Sequence, residues 1–154
     1  MHQGLAVCRA MESEIGRPVY HAMLAEAYGG MGQAEAGLRL LAEALEHVEH
    51  TGERYYEAEV YRLKGELLLR QAVPDEEQAE ACFQQALDVA RRQQAKALEL
   101  RATMSLSRLW QQQGKRAEAH ALLAPIYDWF TEGFDTADLK EAKALLEELA
   151  GQRC

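Results

Sequence analysis

The strongest constraint on this chain is a spacing of small and large residues that recurs along it. Leu24-Ala25-x-x-Tyr28 is followed by Gly32, Gly37, Leu41 and Ala44, and Leu106-Ser107-x-x-Trp110 by Gly114, Ala119, Leu123 and Ile126. The internal offsets are identical, with 12 positions from Ala25 to Gly37 and 12 from Ser107 to Ala119. A third copy lies between them, with Gly65 and Leu68 followed by Ala79, Phe83 and Ala86. Its turn is looser, because Gly65 to Ala79 spans 14 positions and includes Pro74-Asp75, where the Asp is placed to cap the helix that follows. The small residues at 25, 65 and 107 set a period of about 40 residues, which belongs to stacked supersecondary units.

The pattern within each copy is that of two helices joined by a turn. Small residues let the backbones of paired helices approach, while Tyr28, Leu68, Trp110, Phe83, Leu41 and Leu123 fill the space between neighbouring pairs. Composition agrees: Ala, Leu, Glu, Gln and Arg dominate, prolines number 3, and 48% of residues are apolar, enough for one domain over 1–154. Apolar periodicity and breakers predict helices over 4–15, 18–30, 33–50, 54–71, 76–94, 96–113, 115–130 and 136–150. The stripes are Leu38, Leu41, Leu45, Val48; Ala79, Phe83, Ala86, Ala90; and Leu122, Leu123, Ile126, Phe130. Gly32, Thr51-Gly52, Gly114 and Gly133 provide stops, and Pro125 predicts a kink or a break just before it.

At these small and large positions the chain resembles the tetratricopeptide family over nearly its whole length. It departs from that pattern at His21, Tyr61 and Thr103, which stand where the family has a Trp in the first helix, at Lys64, which replaces a Leu, and at Ile126, which replaces the last Ala. The resemblance implies an all-α, right-handed superhelical solenoid of antiparallel helix pairs, about three repeats (18–50, 54–94 and 96–130). Residues 4–15, with Leu5, Val7 and Met11, read as the second half of a repeat whose first helix is missing, so a fragment of a longer array is expected, with self-association through that edge as a homodimer. Asp135-Thr136-Ala137-Asp138 opens a capping helix over 136–150 with Leu139, Ala142, Leu146 and Leu149 on one stripe, and the last four residues read as a frayed natural terminus.

Charge and cysteine content exclude several classes. Lys and Arg number 17 against 25 Asp and Glu, so the formal charge of −8 argues against direct nucleic-acid binding. No stretch reaches the roughly 20 apolar residues of a membrane span, and the start lacks the pattern of a secretory signal, so no membrane association and a cytoplasmic location are expected. Cys8, Cys82 and Cys154 are odd in number and far apart, which suggests neither a disulfide framework nor a zinc site.

In the repeat register, exposed positions on the first helix of each pair line a groove. They are Val19, Ala22 and Glu26; then Glu59, Arg62, Glu66 and Leu69; then Arg101, Met104, Arg108 and Gln111. The groove runs from acidic to basic, and Arg62, Arg101 and Arg108 offer forks for the carboxylates of a protein or peptide partner. Tetratricopeptide domains that grip chaperone termini share a Lys and Asn set. Here the matching positions hold Ala22 and Glu26, Arg62 and Glu66, Met104 and Arg108, so that activity is not carried over. Glu43, His47 and His50 share a helical face at metal-compatible spacing, but no fourth ligand is evident, and a solvated polar face explains them better. His21, His120 and Tyr55-Tyr56 define no catalytic set. Gly29-Gly30-Met31-Gly32 lacks the Lys-Ser/Thr of a phosphate loop and reads as a turn. No catalytic residue, metal site or cofactor is predicted.

Four stretches carry a further likeness: Leu24-Ala25-Glu26-Ala27-Tyr28-Gly29, residues 61–68, residues 90–96, and Trp129-Phe130-Thr131-Glu132-Gly133-Phe134-Asp135-Thr136-Ala137-Asp138-Leu139. They resemble the carboxy-terminal repeat region of large bacterial signalling proteins, in which a class III adenylate/guanylate cyclase or DNA-binding domain precedes an ATPase domain. The resemblance implies a non-catalytic regulatory tail, a sensor or scaffold that binds a protein partner or upstream domains of its own polypeptide. The alternative is a helical-repeat domain that senses a small molecule or metal.

Overall fold

Glycine punctuation between Ala-, Leu- and Glu-rich stretches becomes turns between helices. The computed structural model describes residues 17–52, 54 and 56–151, and the predicted first helix, 4–15, lies outside them, as does the dimer edge built on it. Seven helices are described: α1 (Arg17–Gly30), α2 (Ala34–Thr51), α3 (Glu57–Leu69), α4 (Glu76–Arg92), α5 (Lys96–Gln112), α6 (Arg116–Trp129) and α7 (Ala137–Gly151). No strand occurs among the described residues, so the all-α expectation holds there.

Each helix packs on its neighbours in sequence, and α1, α3, α5 and α7 also contact one another in succession. The core is accordingly divided into consecutive pools. Ala22, Ala25, Leu41, Ala44, Val60 and Leu67 join α1, α2 and α3; Phe83, Ala86, Leu87, Ala102 and Leu106 lie between α4 and α5; Leu100, Met104, Leu123, Ile126, Leu139 and Leu145 join α5, α6 and α7. In α7 the deepest positions are Leu139, Ala142, Leu145 and Leu149, with the predicted Leu146 only partly buried.

The three repeated small residues meet their partners across the hairpins. A Cβ added to Gly37 would lie 2.8 Å from the Ala25 carbonyl oxygen, and one on Gly65 would lie 3.0 Å from that of Ala79. In the last hairpin the Ser107 hydroxyl donates to the Ala119 carbonyl at 3.3 Å. Residues equidistant from each turn therefore touch, as they must when two helices fold back on one another.

Helix ends follow their sequence signals with one exception. Asp75 caps α4 as expected, its carboxylate accepting from the Gln78 amide at 3.0 Å. Gly114 ends α5 in the left-handed region (φ 82°), and the Lys115 amide reaches back to the Trp110 carbonyl at 2.8 Å. The turn from α4 to α5 makes the same closure, Ala95 amide to Ala90 carbonyl at 2.9 Å, but through Gln94 at φ 55°. With no glycine to mark it, that stop is invisible in the sequence, and the helix expected to reach 94 ends at Arg92. Of the kink or break expected at Pro125, the break is absent, since α6 continues through it to Trp129. Pro125 has no N–H for the Ala121 carbonyl, but both residues are on the exposed side of the helix, where the lost bond costs little.

Candidate functional site

The candidate face is carried by α3 and α5, whose polar residues are brought together across the row of odd-numbered helices. Glu59, expected at the surface, is 2% exposed. It is buried because it lies between two guanidinium groups: Arg62 donates to Oε1 through Nε at 2.6 Å, and Arg101 Nη1 is 3.4 Å from the same oxygen. Arg62 also reaches Ser105 Oγ at 3.4 Å and lies 3.9 Å from Glu66. Arg101 continues the chain to α7, donating from Nε to Asp138 Oδ2 at 3.0 Å, and Arg108 donates to Glu141 at 3.4 Å. A connected ionic path thus runs from α3 through α5 to α7.

This path perturbs the groups along it. Burial works to lower the Arg101 pKa, but Glu59 and Asp138 outweigh it, so the net shift is upward. The Tyr56 phenol is pushed above its ordinary value first by burial and then by Glu59, with Arg101 and Arg62 opposing. Glu59 Oε2 and Thr103 Oγ1 are buried without a hydrogen-bond partner, an uncommon state for a carboxylate oxygen.

The remaining predicted groove residues divide. Glu26 and Arg108 are exposed, and Glu66, Leu69, Gln111, Arg62 and Arg101 are half-buried. Met104 and Ala22 correct the expectation, since both are core residues: Met104 packs with Leu100 and Leu123, and Ala22 with Ala25. One helical face cannot be read as groove throughout when α1 packs on both α2 and α3, and α5 on α3, α4, α6 and α7. The Val19 side chain lies outside what is described. The arginine forks are already occupied by carboxylates of the chain itself, and Ser105, Asp138 and Glu141 join the site without having been expected. Arg101 and Asp138 are 37 positions apart, and no local pattern announces such a pair.

Other singled-out residues fall elsewhere. Glu43 Oε2 is 3.1 Å from His21 Nε2, His47 is buried and His50 exposed, so the three do not converge. Among the described residues no group of three His, Cys, Asp or Glu side chains is arranged to hold a metal ion. Gly29 packs on Leu67 and Arg70 while Gly32 takes φ 77° in the turn, which accounts for two of the three glycines in that run. No helix among the described residues is long and apolar enough to cross a membrane. Compared with known proteins, the chain matches no protein-family model and no curated protein.

Proposed function

We propose that the chain is a non-catalytic helical-repeat module of tetratricopeptide type, stacked as a solenoid, that binds an acidic segment of a protein partner on the face carrying Arg101 and Arg108. Support for the repeat reading comes from the three hairpins, which reuse one small-residue contact, and from the succession of contacts among α1, α3, α5 and α7. By the resemblance noted above, the partner is an adjoining cyclase or ATPase domain of a bacterial signalling polypeptide, and binding biases that domain's switching.

One observation carries the binding reading. Arg101 and Arg108 are 40% and 44% exposed, and each is oriented by an acid of α7, Asp138 or Glu141. They stand seven residues apart on α5, two turns, hence about 10 Å along the axis. Half-exposed ion pairs of this kind are worth roughly 0–1 kcal/mol each, so a partner's carboxylates can displace the α7 acids at little cost. The more deeply held Arg62–Glu59 pair stays in place as the support beneath.

Panning a random peptide library against the protein, followed by affinity measurement of the enriched peptides, tests this. The expectation is acidic consensus peptides that bind about tenfold more weakly to the Arg101→Ala/Arg108→Ala variant and more tightly to Glu141→Gln, where a competing carboxylate is gone. Enriched peptides that bind all three proteins equally, or no enrichment at all, would refute the reading.

A further inference from the structure

The junction of α4, α5 and α6 holds an open cleft of about 310 Å³ that plays no part in the face described above. Its walls are Arg91 from the end of α4, Lys96 and Glu99 from the first turn of α5, and Leu122, Pro125 and Trp129 from α6. The buried Glu99 carboxylate receives Arg91 Nε at 3.3 Å and Lys96 Nζ at 3.4 Å. Lys96 Nζ also sits 5.5 Å from the centroid of the Trp129 ring, and Phe130 braces that ring edge-on at 5.1 Å. Trp129 is nevertheless 56% exposed, a large aromatic surface left facing the cleft.

The corresponding junction one repeat earlier provides a comparison. Positions 49, 54 and 57 correspond to 91, 96 and 99, each 42 residues earlier, the same displacement that separates Gly65 from Ser107. Arg54 there bridges two acids, Glu49 at 3.5 Å and Glu57 at 3.0 Å, so the trio carries net −1. Arg91, Lys96 and Glu99 carry net +1 in a chain whose formal charge is −8. The second difference is apolar. Val89, which is 40 residues before Trp129 as Ala79 is before Ala119, is 2% exposed and packed with Ala58 and Ala90. The earlier junction is net acidic and buries the matching side chain; the later one is net cationic and faced with an exposed indole.

We infer that the cleft at Arg91, Lys96 and Trp129 is a binding site for a small aromatic carboxylate. The ring of the ligand lies against Trp129 and Pro125, and its carboxylate meets the outward faces of Arg91 and Lys96, whose charges Glu99 neutralises only in part. A carboxylate suits a guanidinium–ammonium pair, and a flat apolar body suits an exposed indole beside Leu122.

The chain contains two tryptophans, so a ¹⁵N-labelled sample gives two indole N–H resonances, and Trp129→Phe identifies the one belonging to the cleft. Titration with indole-3-acetate is expected to shift the Trp129 resonance saturably, with a Kd of about a millimolar or below, and to leave Trp110 in place. Indole-3-acetamide, which keeps the ring and loses the charge, is expected to bind about tenfold more weakly. Arg91→Glu, which gives this junction the charge of the earlier one, removes the preference for the acid, while Arg54→Ala leaves it intact. Lys96→Gln, read in the same way, weakens the acid alone and guards against a fold defect in the charge-reversed variant. A linear, unsaturating shift, equal binding of acid and amide, or native affinity in both Arg91→Glu and Lys96→Gln would overturn the site.

Discussion

The α3–α4 and α5–α6 hairpins solve one packing problem with opposite volumes. Where α4 presents Phe83, fully buried, α3 answers with Gly65, and a Cβ there would come within 2.5 Å of Phe83 Cε1. At the matching position α6 presents the smaller Leu123, also fully buried, and α5 can afford Ser107, whose hydroxyl reaches the Ala119 carbonyl. The repeat therefore conserves the summed volume of the seam and lets its residues vary, as dense interiors require. The two turns that flank α5 differ as well: Gln94 carries the left-handed strain that Gly114 avoids.

The comparison breaks most visibly if Ser107→Trp is tolerated. An indole in a fully buried seam is expected to cost about 3 kcal/mol or more, a fall in melting temperature of about 6 °C or more by circular dichroism. An unchanged melting point would mean that α5 and α6 do not nest at this position.

Next in size is the volume exchange itself. Gly65→Ala is expected to cost about 1–2 kcal/mol, overpacking against Phe83 exceeding the helix propensity gained. Adding Phe83→Leu, which copies the α5–α6 solution, should leave the double variant at least about 1 kcal/mol more stable than the sum of the two single losses. Strict additivity in denaturant melts would show that the ring and the missing Cβ are unrelated.

Turns follow at about 1 kcal/mol, with opposite signs. Gly114→Ala should destabilise by about 1 kcal/mol, whereas Gln94→Gly should stabilise by about 0.5–1 kcal/mol as the left-handed strain is relieved against a smaller entropy cost. Urea unfolding of both variants reads the pair directly.

Ser107→Ala should move stability by no more than about 0.5 kcal/mol, because the lost hydroxyl bond and alanine's better helix propensity nearly cancel. A larger loss would make the seam in α5–α6 a polar rather than a steric one.

The smallest effect is alkaline. Cys82 precedes Phe83 on α4, and burial first, with Asp75 adding and Lys64 opposing, pushes its thiol above the ordinary 9.0. A pKa raised in the folded state contributes stability that is complete below pH 9.0 and is lost as pH climbs through the shifted value. The native protein should therefore lose melting temperature above that pH slightly faster than Cys82→Ala, and parallel curves would place the thiol in a wetter setting than the seam allows.

Much of the fold was legible because it is local. Hairpin partners lie 12 or 14 positions apart, and the residues that make them, Ala25 with Gly37, Gly65 with Ala79, Ser107 with Ala119, are marked by size alone. The stop at Gln94 was not legible, since no residue type signals a left-handed glutamine. The site was legible only as a list of charges. Glu26, Arg101 and Arg108 are accessible as expected and Arg62 only in part, while Glu59 and Met104, expected on the same exposed positions, are buried, because their burial depends on which helix packs two elements away.

The sequence by itself determined the seven described helices, the glycine- and proline-marked turns between them and the small contacts that close each hairpin, because those depend on spacing within about 40 residues of chain. Only the tertiary structure decided that Glu59 is buried between Arg62 and Arg101, that α7 supplies Asp138 and Glu141 to the face of α5, and that Lys96 stands over Trp129. A charge or an indole looks alike in any sequence, and its neighbours, and so its chemistry, are fixed only when distant helices close around it.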